Sequence, residues 1–306
     1  MTVERIAITD RSQWLALRSF DLTASDIGAA VGIDPYKTPL KLYAEKTGVL
    51  MADPDSNIMR RGRWMEAAVL EALREEQPGW VVEKCKVYLR DPALRLGATP
   101  DAVATTDDGE IVNVQCKVVS RPTFERDWVD GPPMHYVLQT LTEGLLQGTG
   151  SYIAALVVDT YSASLELFPV PRHGGAEARV MQIADEFWRN VENGVRPAAD
   201  FKRDAETVAK IWPQSVPDPV LDLTGDNYLP DLLVERGVIK QAMKDCEKRV
   251  GEIDCEIKSK MADHEQAALP GWKLIWKTVN RPEFTTPASS YRALRVVDRR
   301  DKEATA

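Results

Sequence analysis

Between Ile111 and Val119 the chain alternates side-chain chemistry with a period of two, a pattern that fits a β-strand with two unlike faces. Val112, Val114, Cys116 and Val118 share one face, which reads as core, while Asn113, Gln115 and Lys117 share the other. A Pro100-Asp101 turn about ten positions earlier brings in a carboxylate from the preceding strand. An amide oxygen, an ammonium and a carboxylate together suit a hard divalent cation and its bound water, the outline of a metal-dependent phosphodiesterase. An edge strand with one wet face shows the same alternation.

A second carboxylate strengthens the reading. The segment from Asn57 to Glu76 reads as a helix stopped by Pro78-Gly79, and Glu66 lies on its apolar stripe with Val69, Leu70 and Leu73. Taken alone, Glu66 is a stripe-edge residue that snorkels to water. Beside Asp101 and the Gln115 face, its burial is offset by a shared ion. An Asp…Gln-x-Lys pattern by itself is common by chance. Helix glutamate, Pro-Asp turn, Gln-x-Lys strand and following helix in that order is much more specific.

The rest of the chain reads as α/β. Asp10 or Ser12 caps a helix through Phe20, Ser25 caps one over 26–31, and Pro39 starts another that Gly48 stops. Valine-, isoleucine- and leucine-rich runs at 80–90, 94–105 and 111–119 predict a meander of strands. A helix over 134–148, strands over 152–158 and 164–170, and a helix over 176–193 follow. Prolines 197, 213, 217 and 219 mark a boundary, giving a core over 1–197 and an appendage over 198–306.

In the appendage, Leu232, Leu233, Val238, Ile239, Met243, Cys246, Val250, Ile253 and Ile257 recur at roughly helical spacing over 231–263. This reads as a helical hairpin packed within the chain rather than an oligomer seam, covering the core or docking a partner. Strands over 271–279 and 291–297 predict a terminal β-hairpin, and the charged tail over 298–306 reads as frayed.

Composition excludes other classes. The 306 residues are 44% apolar and 28% charged, with no apolar run near the roughly 20 residues of a membrane helix. The N-terminal MTVERIAITDRSQW carries no secretory or organelle-targeting pattern. Four cysteines without C-x-x-C spacing, and three histidines not clustered with them, predict reduced cytosolic thiols and no zinc site. A formal charge of -8 argues against a uniformly basic surface but leaves room for a local track such as Arg60, Arg61 and Arg63.

The series Trp14…Arg18, Thr23-Ala24-Ser25-Asp26-Ile27, Asp34-Pro35-Tyr36-Lys37-Thr38-Pro39, Arg61-Gly62…Glu66, Gly97-Ala98-Thr99-Pro100-Asp101 and Gln115-Cys116-Lys117 resembles the YqaJ-type viral recombinases. These are relatives of phage lambda exonuclease in the PD-(D/E)XK nuclease superfamily. The resemblance spans roughly residues 10–195. It implies a PD-(D/E)XK core, a central mixed β-sheet flanked by helices, with the C-terminal helical and hairpin segment as an appendage. It also implies hydrolysis of linear duplex DNA from 5'-phosphorylated ends, 5' to 3', leaving 3' single strands.

By the same resemblance, Asp101, Gln115, Lys117 and Glu66 are the catalytic set. Mg2+, with Mn2+ as the alternative, is held by Glu66, Asp101, Gln115 and the Cys116 backbone carbonyl, and Lys117 polarises the attacking water. Arg18, Ser25, Thr99 and Gln139 match a pocket for the terminal 5' phosphate. Double-stranded DNA ends, a homotrimer and a single-strand annealing protein are the implied partners. A bacterial cytoplasm and a phage or prophage origin are the implied setting.

Gln115 departs from the pattern, because the family has glutamate there. An amide oxygen ligates a hard cation without adding charge. Three outcomes are open: an active natural variant with weaker metal affinity, which the retained Asp101, Glu66 and Lys117 favour, an engineered or decayed inactive form, or a site in which Asp108 or Glu110 substitutes; a catalytically weakened DNA-end-binding protein is a separate alternative. A sequence-specific endonuclease on the same core is a further alternative.

Overall fold

The structure is a computed structural model that describes all residues except 52, 218–219, 284–287, 289–290 and 298–306. The expected frayed tail and Pro219 therefore lie outside the described residues. Two compact units emerge, Met1–Trp212 and Pro213–Ala306.

The first unit opens with β1 (Glu4–Ala7), α1 (Arg11–Phe20), β2 (Leu22–Thr23), a single 3-10 turn (Ala24–Asp26), α2 (Ile27–Ala30), α3 (Pro39–Lys46) and α4 (Asn57–Glu76). It continues with β3 (Val81–Lys84), β4 (Val87–Asp91), β5 (Leu96–Ala98), β6 (Ala102–Thr105) and β7 (Ile111–Ser120). Next come α5 (Arg121–Asp127), α6 (Met134–Gln147), β8 (Ser151–Val158), β9 (Ala163–Val170), α7 (Gly174–Glu192) and α8 (Ala205–Ile211).

Local chemistry fixes the helix starts. Asp10, rather than Ser12, accepts from the Gln13 N–H and caps α1. Thr23, rather than Ser25, caps the next turn, with its backbone N–H and hydroxyl both donating to Asp26 Oδ2 at 3.2 and 2.7 Å. Ser25 is thereby freed from the backbone role that its position suggested. Thr38 caps α3 by accepting from Lys41 N, with Pro39 in the first turn.

The strands form two sheets in this unit, not one meander. One sheet has the order β3-β6-β7-β8-β9, with β7 and β8 parallel and the other pairs antiparallel; the second has the order β1-β4-β5-β2. The expected 80–90 and 94–105 strands each break in two, because the chain passes from one sheet to the other near Cys85 and again at Thr99–Asp101. The Pro100-Asp101 turn thus sits where the two sheets diverge.

Both faces of the five-stranded sheet are covered. Val69, Leu70 and Leu73 of α4 pack on Ala102, Ala104, Val112, Val114, Ala154 and Leu156. On the opposite side, Ile153 and Ala155 belong to a second cluster with Leu141 and Leu145 of α6 and Val180, Ile183 and Trp188 of α7. Strand β7 is therefore central, and its polar face is buried beneath α6: Asn113 is fully buried and Gln115 nearly so. Gly144 permits this approach, since a Cβ there would collide with Ser151 Oγ and the Thr149 carbonyl.

Helix α8 extends the first unit past the expected boundary at Pro197. It packs on α3, and Asp204 at its start accepts from the Thr38 hydroxyl at 2.5 Å.

The second unit holds α9 (Leu229–Met261), β10 (Gln266–Leu269) and β11 (Trp272–Ile275). The expected helical hairpin is instead one 33-residue helix whose apolar stripe stays exposed at Ile239, Met243, Val250 and Ile253. A β-hairpin is present, but β11 pairs with β10 across Pro270-Gly271, and the predicted partner over 291–297 carries no strand. The Pro-Gly turn closes the hairpin locally, so the more distant segment is not needed. Among the described residues, no helix is long and apolar enough to cross a membrane.

Candidate active site

Helix α4 places the first carboxylate. Ser56 caps it, the Val69–Leu73 stripe anchors its C-terminal half, and Glu66 falls one turn before the stripe enters the core. Its side chain retains 19% exposure, and Oε1 lies 2.7 Å from Lys84 Nζ on β3. Hydrogen bonding to Glu66 raises the Lys84 pKa, so that ammonium stays charged at the rim.

Asp101 comes from the crossing between the sheets. Its Oδ2 accepts from the Cys116 backbone N–H at 2.8 Å and from Gln115 Nε2 at 2.5 Å. Burial pushes the Asp101 carboxyl up to about 6; Lys117 and the Cys116 N–H oppose this shift, and Glu66 reinforces it. Gln115 Nε2 also reaches the Cys116 carbonyl at 3.4 Å, so the amide NH2 bridges two oxygens that the resemblance assigns to an ion.

Behind Gln115 the network continues into α6. Gln139 Nε2 donates to Gln115 Oε1 and to Glu143 Oε1, both at 3.0 Å, while Gln139 Oε1 accepts from Lys117 Nζ at 3.0 Å. Asn113 Nδ2 donates to Glu143 Oε2 at 3.3 Å. Each amide therefore has its orientation dictated by its neighbours. Lys117 also stands 4.6 Å from the centroid of the Tyr136 ring, a cation–π contact that helps to fix the ammonium. Burial lowers its pKa, and the charges of Asp101 and Glu143 oppose that shift.

Glu66, Asp101, Gln115, Cys116 and Lys117 line one cleft of about 310 Å³, with Arg61 and Arg63 on the same wall. The basic track thus reaches the cleft through Arg61, while Arg63 forks Asp55 at 2.6 and 2.9 Å. Asp108 and Glu110 do not complete the site. They remain in the turn before β7, where both bond to Thr106.

Arg18, Ser25 and Thr99 are joined through Trp14, on a turn and strand against which α6 packs. Arg18 Nη2 donates to Ser25 Oγ at 2.9 Å and its guanidinium lies over Trp14, whose Nε1 donates to Thr99 Oγ1 at 3.0 Å. Asp26 beneath this cluster is buried, yet Lys46, Lys37 and Arg18 hold its carboxyl well below the usual range. Gln139 makes its hydrogen bonds to Lys117, Gln115 and Glu143 instead.

Residues 13–145 match the family described as the YqaJ-like viral recombinase domain. Over that stretch the chain is similar to YqaJ-like domains. The YqaJ protein of Bacillus subtilis (strain 168) is 26% identical over 277 residues, covering 88% of this chain and 84% of that protein. Among solved structures, the alkaline exonuclease of Laribacter hongkongensis superposes with a TM-score of 0.50 at 18% identity, covering 65% of this chain and all of that one. A phage-related exonuclease from Haemophilus somnus matches with a TM-score of 0.43 at 10% identity, over 57% of this chain and 96% of that one. The first unit shares the fold of that alkaline exonuclease, and it is the expected one, a mixed sheet flanked by helices.

The donor set fits a hard cation. Two carboxylates, an amide oxygen and a backbone carbonyl are all oxygen ligands, the chemistry that Mg2+ and Mn2+ prefer. No group of three or more His, Cys, Asp or Glu that could hold a metal occurs among the described residues, and position 115 holds an amide. To offer Oε1, the Gln115 amide must turn and Gln139 must follow.

Glu143 is the residue that sequence reasoning missed. Its signal was the i, i+4 spacing from Gln139 on a helix laid over a polar strand face. It is 1% exposed, and burial pushes its carboxyl up to about 8; Asp101 adds to the shift, while Lys117, Gln139 and Asn113 oppose it. An acid whose pKa is raised on folding favours the native state below its unfolded pKa of 4.5 and loses that contribution as pH rises toward 8. Without divalent metal, the unfolding free energy is therefore expected to fall across that window by at most about 1.4 kcal/mol per pH unit from this group, and Tm to fall with it. Glu143→Gln flattens the fall measured by thermal denaturation. An unchanged slope assigns the pH dependence elsewhere.

Proposed function

We propose that the protein is a metal-dependent DNA exonuclease that degrades linear duplex from 5'-phosphorylated ends, 5' to 3', leaving 3' single strands for recombination. One observation carries this reading: Glu66, Asp101, Gln115 and Lys117 share a single cleft, on the fold of an alkaline exonuclease. Glu66, Asp101, Gln115 Oε1 and the Cys116 carbonyl are the groups that would hold Mg2+ or Mn2+. A bound ion of this kind supplies Lewis acidity and lowers the pKa of a coordinated water toward neutrality.

The chain's own residues do the rest. Lys117, fixed by Gln139 and Tyr136, holds the attacking water and meets the charge that develops on the phosphoryl oxygens. Arg61 offers a cation to the backbone along the cleft wall. Arg18 and Ser25, already joined by a hydrogen bond, offer donors suited to a terminal phosphate dianion.

A second reading is a catalytically weakened end-binding protein, favoured by the Gln115 amide NH2 that bridges Asp101 and Cys116. Digestion of end-labelled linear duplex, with and without a 5' phosphate, across Mg2+ and Mn2+ titrations separates the two. The exonuclease releases mononucleotides faster from the phosphorylated end and spares closed circles. A pure binder leaves both substrates intact and shifts the linear one on a gel, and nicking of circles identifies an endonuclease. Arg18→Ala is expected to remove the preference for the phosphorylated end, and an unchanged preference places the phosphate site elsewhere.

A further inference from the structure

Tyr36 is 78% exposed, yet its ring is held from several sides. Asp34 Oδ1 accepts from the Tyr36 and Lys37 backbone N–H groups at 2.6 and 3.0 Å, an Asx-turn that fixes the backbone beneath the side chain. The Tyr136 hydroxyl hydrogen-bonds the Tyr36 side chain. The His135 ring stands edge-on to Tyr36 with centroids 6.4 Å apart, and lies 4.0 Å from the Tyr136 ring.

This ring is tied to both groups that would hold the end of a strand. Through Tyr136 it reaches Lys117, whose Nζ lies 4.6 Å from the Tyr136 centroid. Through Lys37, the next residue, it reaches Asp26, with Nζ and Oδ1 3.3 Å apart. Asp26 accepts from the Thr23 hydroxyl at 2.7 Å, Thr23 Oγ1 lies 3.0 Å from Ser25 Oγ, and Arg18 donates to Ser25. In the exonuclease reaction proposed above, one nucleotide separates the 5' phosphate from the bond that is cut. Its base therefore falls between the Arg18–Ser25 pair and Lys117, the span that Tyr36 joins.

We propose that the Tyr36 ring is the stacking platform for the base of the terminal 5' nucleotide, an assignment that rests on the exonuclease reading. A base drawn from the end of a duplex loses its stacked neighbour, and an aromatic face replaces that neighbour whatever the base. Tyr136 is half-buried and its ring already carries Lys117, which leaves the Tyr36 face for the substrate.

The test compares release of the first nucleotide from 5'-phosphorylated linear duplexes whose terminal nucleotide is unpaired, so that melting costs do not differ, and carries either adenine or no base. At subsaturating substrate the native chain is expected to cut the adenine end about tenfold faster than the abasic end. Tyr36→Ala is expected to slow the adenine end by about the same factor and to leave the abasic end unchanged, while Tyr36→Phe keeps the native preference. A terminal 2-aminopurine, read in Ca2+ without cleavage, is expected to fluoresce more brightly bound to Tyr36→Ala than to the native chain. Equal losses on both ends in Tyr36→Ala would make Tyr36 a structural support, and equal native rates on the two ends would place the base elsewhere. Either result overturns the assignment and leaves the exonuclease reading standing. A native chain that neither binds nor cuts duplex ends overturns both.

Discussion

Replacing Lys117 with alanine is expected to cut cleavage of linear duplex by roughly 100- to 1,000-fold, the usual cost of losing a preorganised transition-state contact. Affinity for duplex ends, measured by gel shift in Ca2+, is expected to change little. The separation follows from placement. Lys117 lines the cleft beside Asp101 and is held by Gln139 Oε1 at 3.0 Å and by the Tyr136 ring, while Arg61 lines the same cleft and Arg18 bonds Ser25. Binding energy therefore comes from groups other than the one that meets the reacting phosphate. The variant also removes the cation facing Asp101 and Glu143, so both carboxyls are expected to hold their protons to higher pH. Equal loss of binding and cleavage would show that Lys117 is structural.

Gln115→Glu is expected to lower the Mg2+ concentration for half-maximal cleavage by about tenfold to a hundredfold, the range seen when the groups around a metal are altered. The substitution removes the NH2 that bridges Asp101 and the Cys116 carbonyl and adds a charge where those oxygens converge. Two unit charges 4 Å apart interact by about 4 kcal/mol at an effective dielectric of about 20, and desolvation and screening take back part of that. The same change leaves the metal-free protein with an uncompensated acid beside Asp101 and Glu66. Its Tm without metal is therefore expected to drop and to recover on adding Mg2+ by more than in the native chain. Unchanged or weaker metal dependence would remove residue 115 from the ligand set.

Much of this site was legible because a strand advertises its two faces in its spelling. The alternation over 111–119 placed Gln115 and Lys117 together, and the apolar stripe of α4 placed Glu66 beside the core. Alternation reports what a face is made of, not what covers it. The burial of Asn113 and Gln115 under α6 was thus invisible, and so was Glu143, masked by its apolar neighbours Leu141, Leu145 and Leu146. The resemblance assigns Gln139 to a phosphate pocket, and sequence order does not show that its amide also reaches Gln115 and Lys117.

The fold misreadings have similar causes. A chain that leaves one sheet for another keeps its β-rich composition, so the breaks near Cys85 and at Thr99–Asp101 left no compositional mark. The helical appendage shows in its periodicity, but helical spacing alone does not tell two packed helices from one long helix, and the exposure of Ile239, Met243, Val250 and Ile253 shows that this stripe is not packed as a hairpin.

Anomalous diffraction from crystals soaked in Mn2+ tests the central claim most directly. The account predicts a peak in the cleft within about 2.0–2.3 Å of an Asp101 carboxylate oxygen and the Cys116 carbonyl, with Glu66 reaching it directly or through water and the Gln115 amide turned to present Oε1. A peak bound elsewhere, or an empty cleft at saturating Mn2+ with Gln115 Nε2 still on Asp101, would contradict it.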